Sequence, residues 1–180
     1  ATLTGGNGND TFEFTDQDAA STISDLATGD ALRATGAFTG GAVTATTTGF
    51  VATANTFNAS GANTSLVVNT TGSAAAGVLN MDLATGAMGY TLAHTAGTAT
   101  TIVGSDFADA ITGFAGVNDT ISAGTGDVEV ISSAGSILDS DTGDDSVANI
   151  IGGAVDLVAY TAIGATGLDD IDTTATSLDL

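Results

Sequence analysis

Nine residues near the start of the chain, Gly5-Gly6-Asn7-Gly8-Asn9-Asp10-Thr11-Phe12-Glu13, set glycines, an aspartate and an aromatic at the spacing G-G-x-G-x-D-x-U-x. Such a run can hold a hard divalent cation. Glycines reach positive φ and let loop carbonyls approach an ion with no Cβ in the way. The aspartate adds a carboxylate oxygen of the kind Ca²⁺ takes at roughly 2.3–2.6 Å. Gly6, Gly8 and Asp10 are the candidate ligating positions of this copy. The same residue types recur about every nine residues from Ile102 to Ser132. Gly104, Asp109 and Ile111 mark one unit, and Gly113, Gly116, Asp119 and Ile121 a second, stretched by one residue between Ala115 and Asn118. Gly124, Gly126 and Ile131 mark a third, in which Val128 or Glu129 stands where the aspartate would be. Asp106 and Asp127 add carboxylates to these turns, and Asp141-Thr142-Gly143-Asp144-Asp145-Ser146-Val147 reads as a further copy without leading glycines. Asp141, Asp144 and Asp145 are its candidate ligands.

The elements that would position these groups follow from the period. A repeat of about nine residues suits neither a helix nor a hairpin and is the period of a stacked solenoid. The residue two places after each aspartate, here Phe12, Ile111, Ile121 and Val147, begins a short strand and points into a narrow core, with Ile131 in the same role. These motifs resemble the RTX (repeats-in-toxin) family and cover roughly a third of the chain. The resemblance implies a right-handed parallel β-roll over at least residues 102 to 150, with folding coupled to Ca²⁺. Residues 22 to 33, TISDLATGDALR, resemble the segment that closes such a roll, with Asp25 and Asp30 as terminal ligands; the other reading is a strand with Gly29-Asp30 as a turn.

Composition bounds what such a fold can use. The chain has 180 residues, no Pro and no Cys, so no disulfide can staple it. Ala, Gly, Thr and Ser dominate and aromatics are few, so the core must be thin. Twenty-one acids stand against one basic residue, Arg33, for a formal charge of −20, and only Glu13 and Glu129 of those acids are glutamate. A charge this large repels itself in the compact state and disfavours nucleic acid, anionic membranes and phosphate ligands. Divalent cations would neutralise it, and Arg33 would neutralise carboxylates near it. An acidic surface of the halophile kind is the other account of the charge, but that needs no glycines. No apolar run approaches the ~20 residues of a membrane span. Leu3 sits where the strand residue of a preceding repeat would be, so Ala1 reads as a boundary within a longer protein.

Three stretches divide the chain: 1–33, an N-terminal repeat and closing segment; 34–101, rich in Thr, Ala and Gly; and 102–180, a degenerate acidic roll holding 13 of the Asp residues. In the middle, Val43 to Thr48, Gly49 to Thr53, Ser65 to Thr70, Val78 to Leu83 and Gly89 to Ala93 read as strands. Leu79, Met81 and Leu83 alternate with polar residues as on a half-buried strand. Residues 78 to 111 resemble a degenerate RTX lead-in, which favours a continuous solenoid over a separate β-sandwich. The eight terminal residues are compatible with an uncleaved export signal. His94 is the only histidine, so an H-E-x-x-H zinc site is excluded, and its neighbours form no nucleophile elbow; it reads as a surface or strand residue. The expectation is a non-enzymatic all-β protein, secreted and extracellular or at the cell surface. Ca²⁺ would be its cofactor, and self-association with neighbouring copies, as in a surface layer or fibre, its main contact. A cell-surface polysaccharide is a further candidate partner. The alternative is a secretion and folding module of a larger exported enzyme or adhesin.

Overall fold

The computed structural model describes residues 1–16, 19–71, 77–114, 119–122, 128–132, 150–151, 153–159, 163, 173–174 and 177–179. The chain winds as successive coils. The first two have two strands each: β1 (Thr2–Leu3) and β2 (Thr11–Phe14), then β3 (Ser21–Ile23) and β4 (Ala31–Ala34). The next two have three: β5 (Val43–Thr47), β6 (Phe50–Val51) and β7 (Phe57–Asn58), then β8 (Leu66–Thr70), β9 (Val78–Asn80) and β10 (Thr85–Gly86). Two per coil return with β11 (Thr91–His94) and β12 (Thr101–Val103), then β13 (Asp109–Thr112) and β14 (Thr120–Ser122). Beyond them lie β15 (Val128–Ser132), β16 (Ile150–Ile151), β17 (Ala154–Ala159), β18 (Thr173–Thr174) and β19 (Ser177–Asp179).

Every pairing among these strands is parallel, and the fold is a β-solenoid. One sheet of nine strands, β1-β3-β5-β8-β11-β13-β15-β17-β19, takes one rung from each coil. Two four-stranded sheets close the other sides, β2-β4-β7-β10 and β6-β9-β12-β14. The middle coils contribute to both, so the cross-section is two-sided at first, three-sided in the middle and two-sided again. The sandwich alternative for the middle segment therefore does not form, because β5, β8 and β11 are rungs of the long parallel sheet. That sheet also runs through the 33/34 and 101/102 positions, with β3 paired to β5 and β11 to β13. The one helical turn among the described residues is a 3-10 segment, Asn63–Ser65, and no helix there is long and apolar enough to cross a membrane.

Strand alternation explains the core. Ile23, Ala45, Val68, Leu92, Ile111 and Leu157 are in register along the long sheet and all are buried. Phe50, Leu79 and Ile102 form the facing column, and Ile121 continues it, packed against the core. Leu83 breaks the expected alternation and is 57% exposed. The cause is a corner: the Asn80 Oδ1 accepts the Asp82 N–H at 2.8 Å and Met81 O accepts the Ala84 N–H at 2.8 Å, turning the chain from β9 toward β10. The third repeat unit also shifts by one. Val130, not Ile131, is in register with Ile111 and Leu157, and Val128 takes the rung position of Asp109. Val147 lies outside the described residues.

Candidate functional site

The N-terminal motif forms a turn between β1 and β2, with Gly6 at φ 95° and Gly8 at φ 125°, the region where glycine has no steric cost. Gly5 is fixed by contact: a Cβ there would lie 2.5 Å from the Asp10 Oδ2. That oxygen is buried and has no hydrogen-bond partner. The turn between β3 and β4 stacks directly on this one. Asp25 accepts the Gly5 N–H at 3.1 Å and the Gly6 N–H at 2.9 Å, one on each carboxylate oxygen. Asp30, 3% exposed, accepts the Asp10 N–H at 2.9 Å and the Ala27 N–H at 2.9 Å. The structure thus brings Gly6, Gly8, Asp10, Asp25 and Asp30 together across two neighbouring coils. It also decides between the two readings of residues 22–33. They do not close the solenoid; the chain continues through β4 into β5.

Asp109 and Asp119 repeat the Asp30 arrangement at the other end of the described solenoid. Asp109 is 2% exposed and accepts the Tyr90 N–H from the preceding coil at 2.7 Å. Within its own turn it accepts the Ser105 N–H at 2.7 Å and the Ser105 hydroxyl at 3.0 Å. Burial pushes its carboxyl up to about 6 from the ordinary 3.8, against the lowering pull of the Tyr90 and Ser105 hydrogen bonds. Burial first, and the Asp109 charge second, hold the Tyr90 phenol far above its ordinary value; its hydroxyl is buried without a partner. Asp119 accepts the Thr100 N–H of the preceding coil at 2.9 Å and the Phe114 N–H of its own turn at 2.9 Å.

Asp119 has a third partner. His94 is not on the surface; its side chain is fully buried at the end of β11, with Nδ1 2.9 Å from both Asp119 oxygens and Nε2 2.8 Å from Ala96 O. Both ring nitrogens thus meet oxygen atoms. Phe114 covers the ring at 5.4 Å. At the opposite end Arg33 ties the first coils in a similar way. Its Nε donates to Glu13 at 3.1 Å and its Nη1 to Asn55 O at 2.8 Å, and its guanidinium lies 5.5 Å from the Phe57 ring centre.

Donor chemistry separates these carboxylates as calcium ligands. Asp30, Asp109 and Asp119 are buried among N–H and hydroxyl donors, where a cation would need oxygens, so they do not fit the ion. Asp10 does fit, with an orphaned carboxylate oxygen in a cradle that a Gly5 Cβ would fill. Asp25 braces the same turn, and Asp106 is exposed between β12 and β13. Among the described residues no three His, Cys, Asp or Glu side chains converge on one ion position. Loop carbonyls and water would therefore complete a shell at Asp10. Asp127, Asp141, Asp144 and Asp145 lie outside the described residues. Reading by motif missed His94 and Tyr90, whose partners stand a coil away in sequence, and Ser105, which meets Asp109 within one turn. One signal was present: Asp30-Ala31-Leu32 has the same D-x-aliphatic form as Asp109-Ala110-Ile111. No family model, curated protein or solved structure matches the chain.

Proposed function

We propose that this chain is a non-catalytic structural component of a secreted cell-surface assembly, of the surface-layer or extracellular-fibre type. In this reading Ca²⁺ binds at the Gly5–Asp10 turn and in the aspartate-rich C-terminal segment and joins neighbouring copies. The observation that carries the reading is the buried, unpartnered Asp10 Oδ2 in a glycine turn. A buried carboxylate oxygen with nothing to accept costs free energy until a cation or donor reaches it. The formal charge of −20 supports it as well. Copies of so acidic a chain repel one another, and a divalent ion shared or bound at their contacts removes that repulsion.

Light scattering of the full chain during a Ca²⁺ titration, beside melting curves, tests this. Scattering should rise as Ca²⁺ enters the millimolar range typical of extracellular sites, about 10⁻⁴–10⁻³ M, and fall again on chelation. Asp10→Asn keeps the shape and removes the charge, and should shift that rise to higher Ca²⁺. Scattering indifferent to Ca²⁺ in the wild type would refute the reading.

A further inference from the structure

We infer that the described coils are fastened to one another by aspartates acting as backbone staples, in the place where the motif suggests calcium, and that this part of the solenoid stays folded without metal. The inference limits the calcium reading above and rests on different residues. Three carboxylates, Asp30, Asp109 and Asp119, stand just before or at the start of a strand and do the same two things. Each closes its own turn, on Ala27 N, Ser105 N and Phe114 N at 2.9, 2.7 and 2.9 Å. Each also reaches back to a backbone N–H of the preceding coil, on Asp10, Tyr90 and Thr100 at 2.9, 2.7 and 2.9 Å, across 20, 19 and 19 residues of sequence. The reached N–H lies at a coil corner just before a strand begins.

A parallel ladder needs such a device. Its inter-strand bonds satisfy the strands, but the corner amides between them fall outside the ladder and are shielded from water by the next coil. An ionised carboxylate accepts two or more N–H bonds at once and makes the stronger, charge-assisted kind. Its length lets it span from its own turn to the coil before. At Asp119 a further partner joins the two amides: His94, its side chain fully buried, with Nδ1 2.9 Å from both carboxylate oxygens. The chain holds one basic residue and one histidine, and both tie one coil to the next, Arg33 through Glu13 and His94 through Asp119.

Amide hydrogen exchange of the full chain, in calcium and in chelator, tests this directly. The amides of Asp10, Ala27, Tyr90, Thr100, Ser105 and Phe114 should keep the same protection in both conditions. Loss of that protection in chelator would overturn the inference. Asp119→Asn provides a second measurement, since an amide cannot accept on both sides. A staple predicts a melting temperature lower by about 5 °C or more in chelator as well as in calcium. A mere calcium ligand predicts that variant and wild type melt alike in chelator, where there is no ion left to lose. Coils that stay protected in chelator while Ca²⁺-dependent scattering disappears satisfy both readings. Coils that unfold in chelator sink the staples and leave the calcium reading standing. Coils protected throughout, with scattering indifferent to Ca²⁺, do the reverse.

Discussion

Asp109 offers a test whose sign shows which form of its carboxyl the fold holds. Its carboxyl lies in the solenoid interior, in register with Val128 and through it with Val155, and burial raises it to about 6 from 3.8. The folded protein therefore holds the proton more tightly than the unfolded chain does. The contribution to stability is full below about pH 4 and is lost as pH rises through about 6. A shift of about two pKa units corresponds to about 3 kcal/mol, with little screening to discount because the residue is 2% exposed. Asp109→Asn removes the titration and leaves every other carboxylate in place, so the two chains share the rest of their pH dependence. Urea unfolding of both, followed by far-UV circular dichroism between pH 4 and 8 with calcium present, isolates the residue. The wild type should gain on the variant by up to about 3 kcal/mol on going from neutral pH to about pH 4. A flat difference would mean that Asp109 titrates as an ordinary exposed carboxylate. A difference that shrinks on acidification would mean that the fold holds the charged form more tightly than the neutral one, and would refute the dominance of burial at this carboxyl.

Two other substitutions probe the frame around these sites. Gly86 sits at φ 131° with its missing Cβ position against the Asn58 carbonyl of the coil before, so Gly86→Ala should cost about 2–4 kcal/mol in urea unfolding; an unchanged midpoint would mean β10 does not stack on β7 as described. Arg33→Gln should cost about 1 kcal/mol and Glu13→Gln less, because the Asn55 carbonyl and the Phe57 ring still hold Arg33 when Glu13 is neutral. Equal losses from the two variants would show the ion pair to be the whole of the Arg33 contribution.

The glycine and aspartate spacing made the solenoid legible, because each half-coil must turn, strand and turn again within a fixed length. Ile111 and Ile121 were legible as inward residues for the same reason. The purpose of the aspartates was not. A carboxylate that binds an ion and one that binds backbone amides leave the same letter at the same place, and only the donors around Asp30, Asp109 and Asp119 tell them apart. The donors reached across coils, Asp10, Tyr90 and Thr100, stand 19 or 20 residues away, so no local window contains both partners. The register of the third unit was not legible, because a slip of one residue exchanges alternate positions and the run Val128-Glu129-Val130-Ile131 offers an apolar residue at either parity. Leu83 failed for a related reason: period two continues in the letters after the chain has already turned its corner. The middle segment read as generic strands because its second and third sides rest on two-residue strands, β6 in one and β7 and β10 in the other, too short to leave a pattern.

That third side bears on how the chain finds its alignment while folding. A stack of equivalent coils invites slippage, since a rung displaced by a whole coil repeats much the same pairing and buries much the same surface. Here such a displacement meets a mismatch in outline. β7 pairs with β4 on one side and β10 on the other, and β9 pairs with β6 and β12. A displacement that parted the two broad coils would leave β6 without β9 and β10 without β7, the one partner that each has among the described strands. The broad coils thus act as an indexing key, a single irregular tooth that lets an otherwise repetitive rack engage in one position.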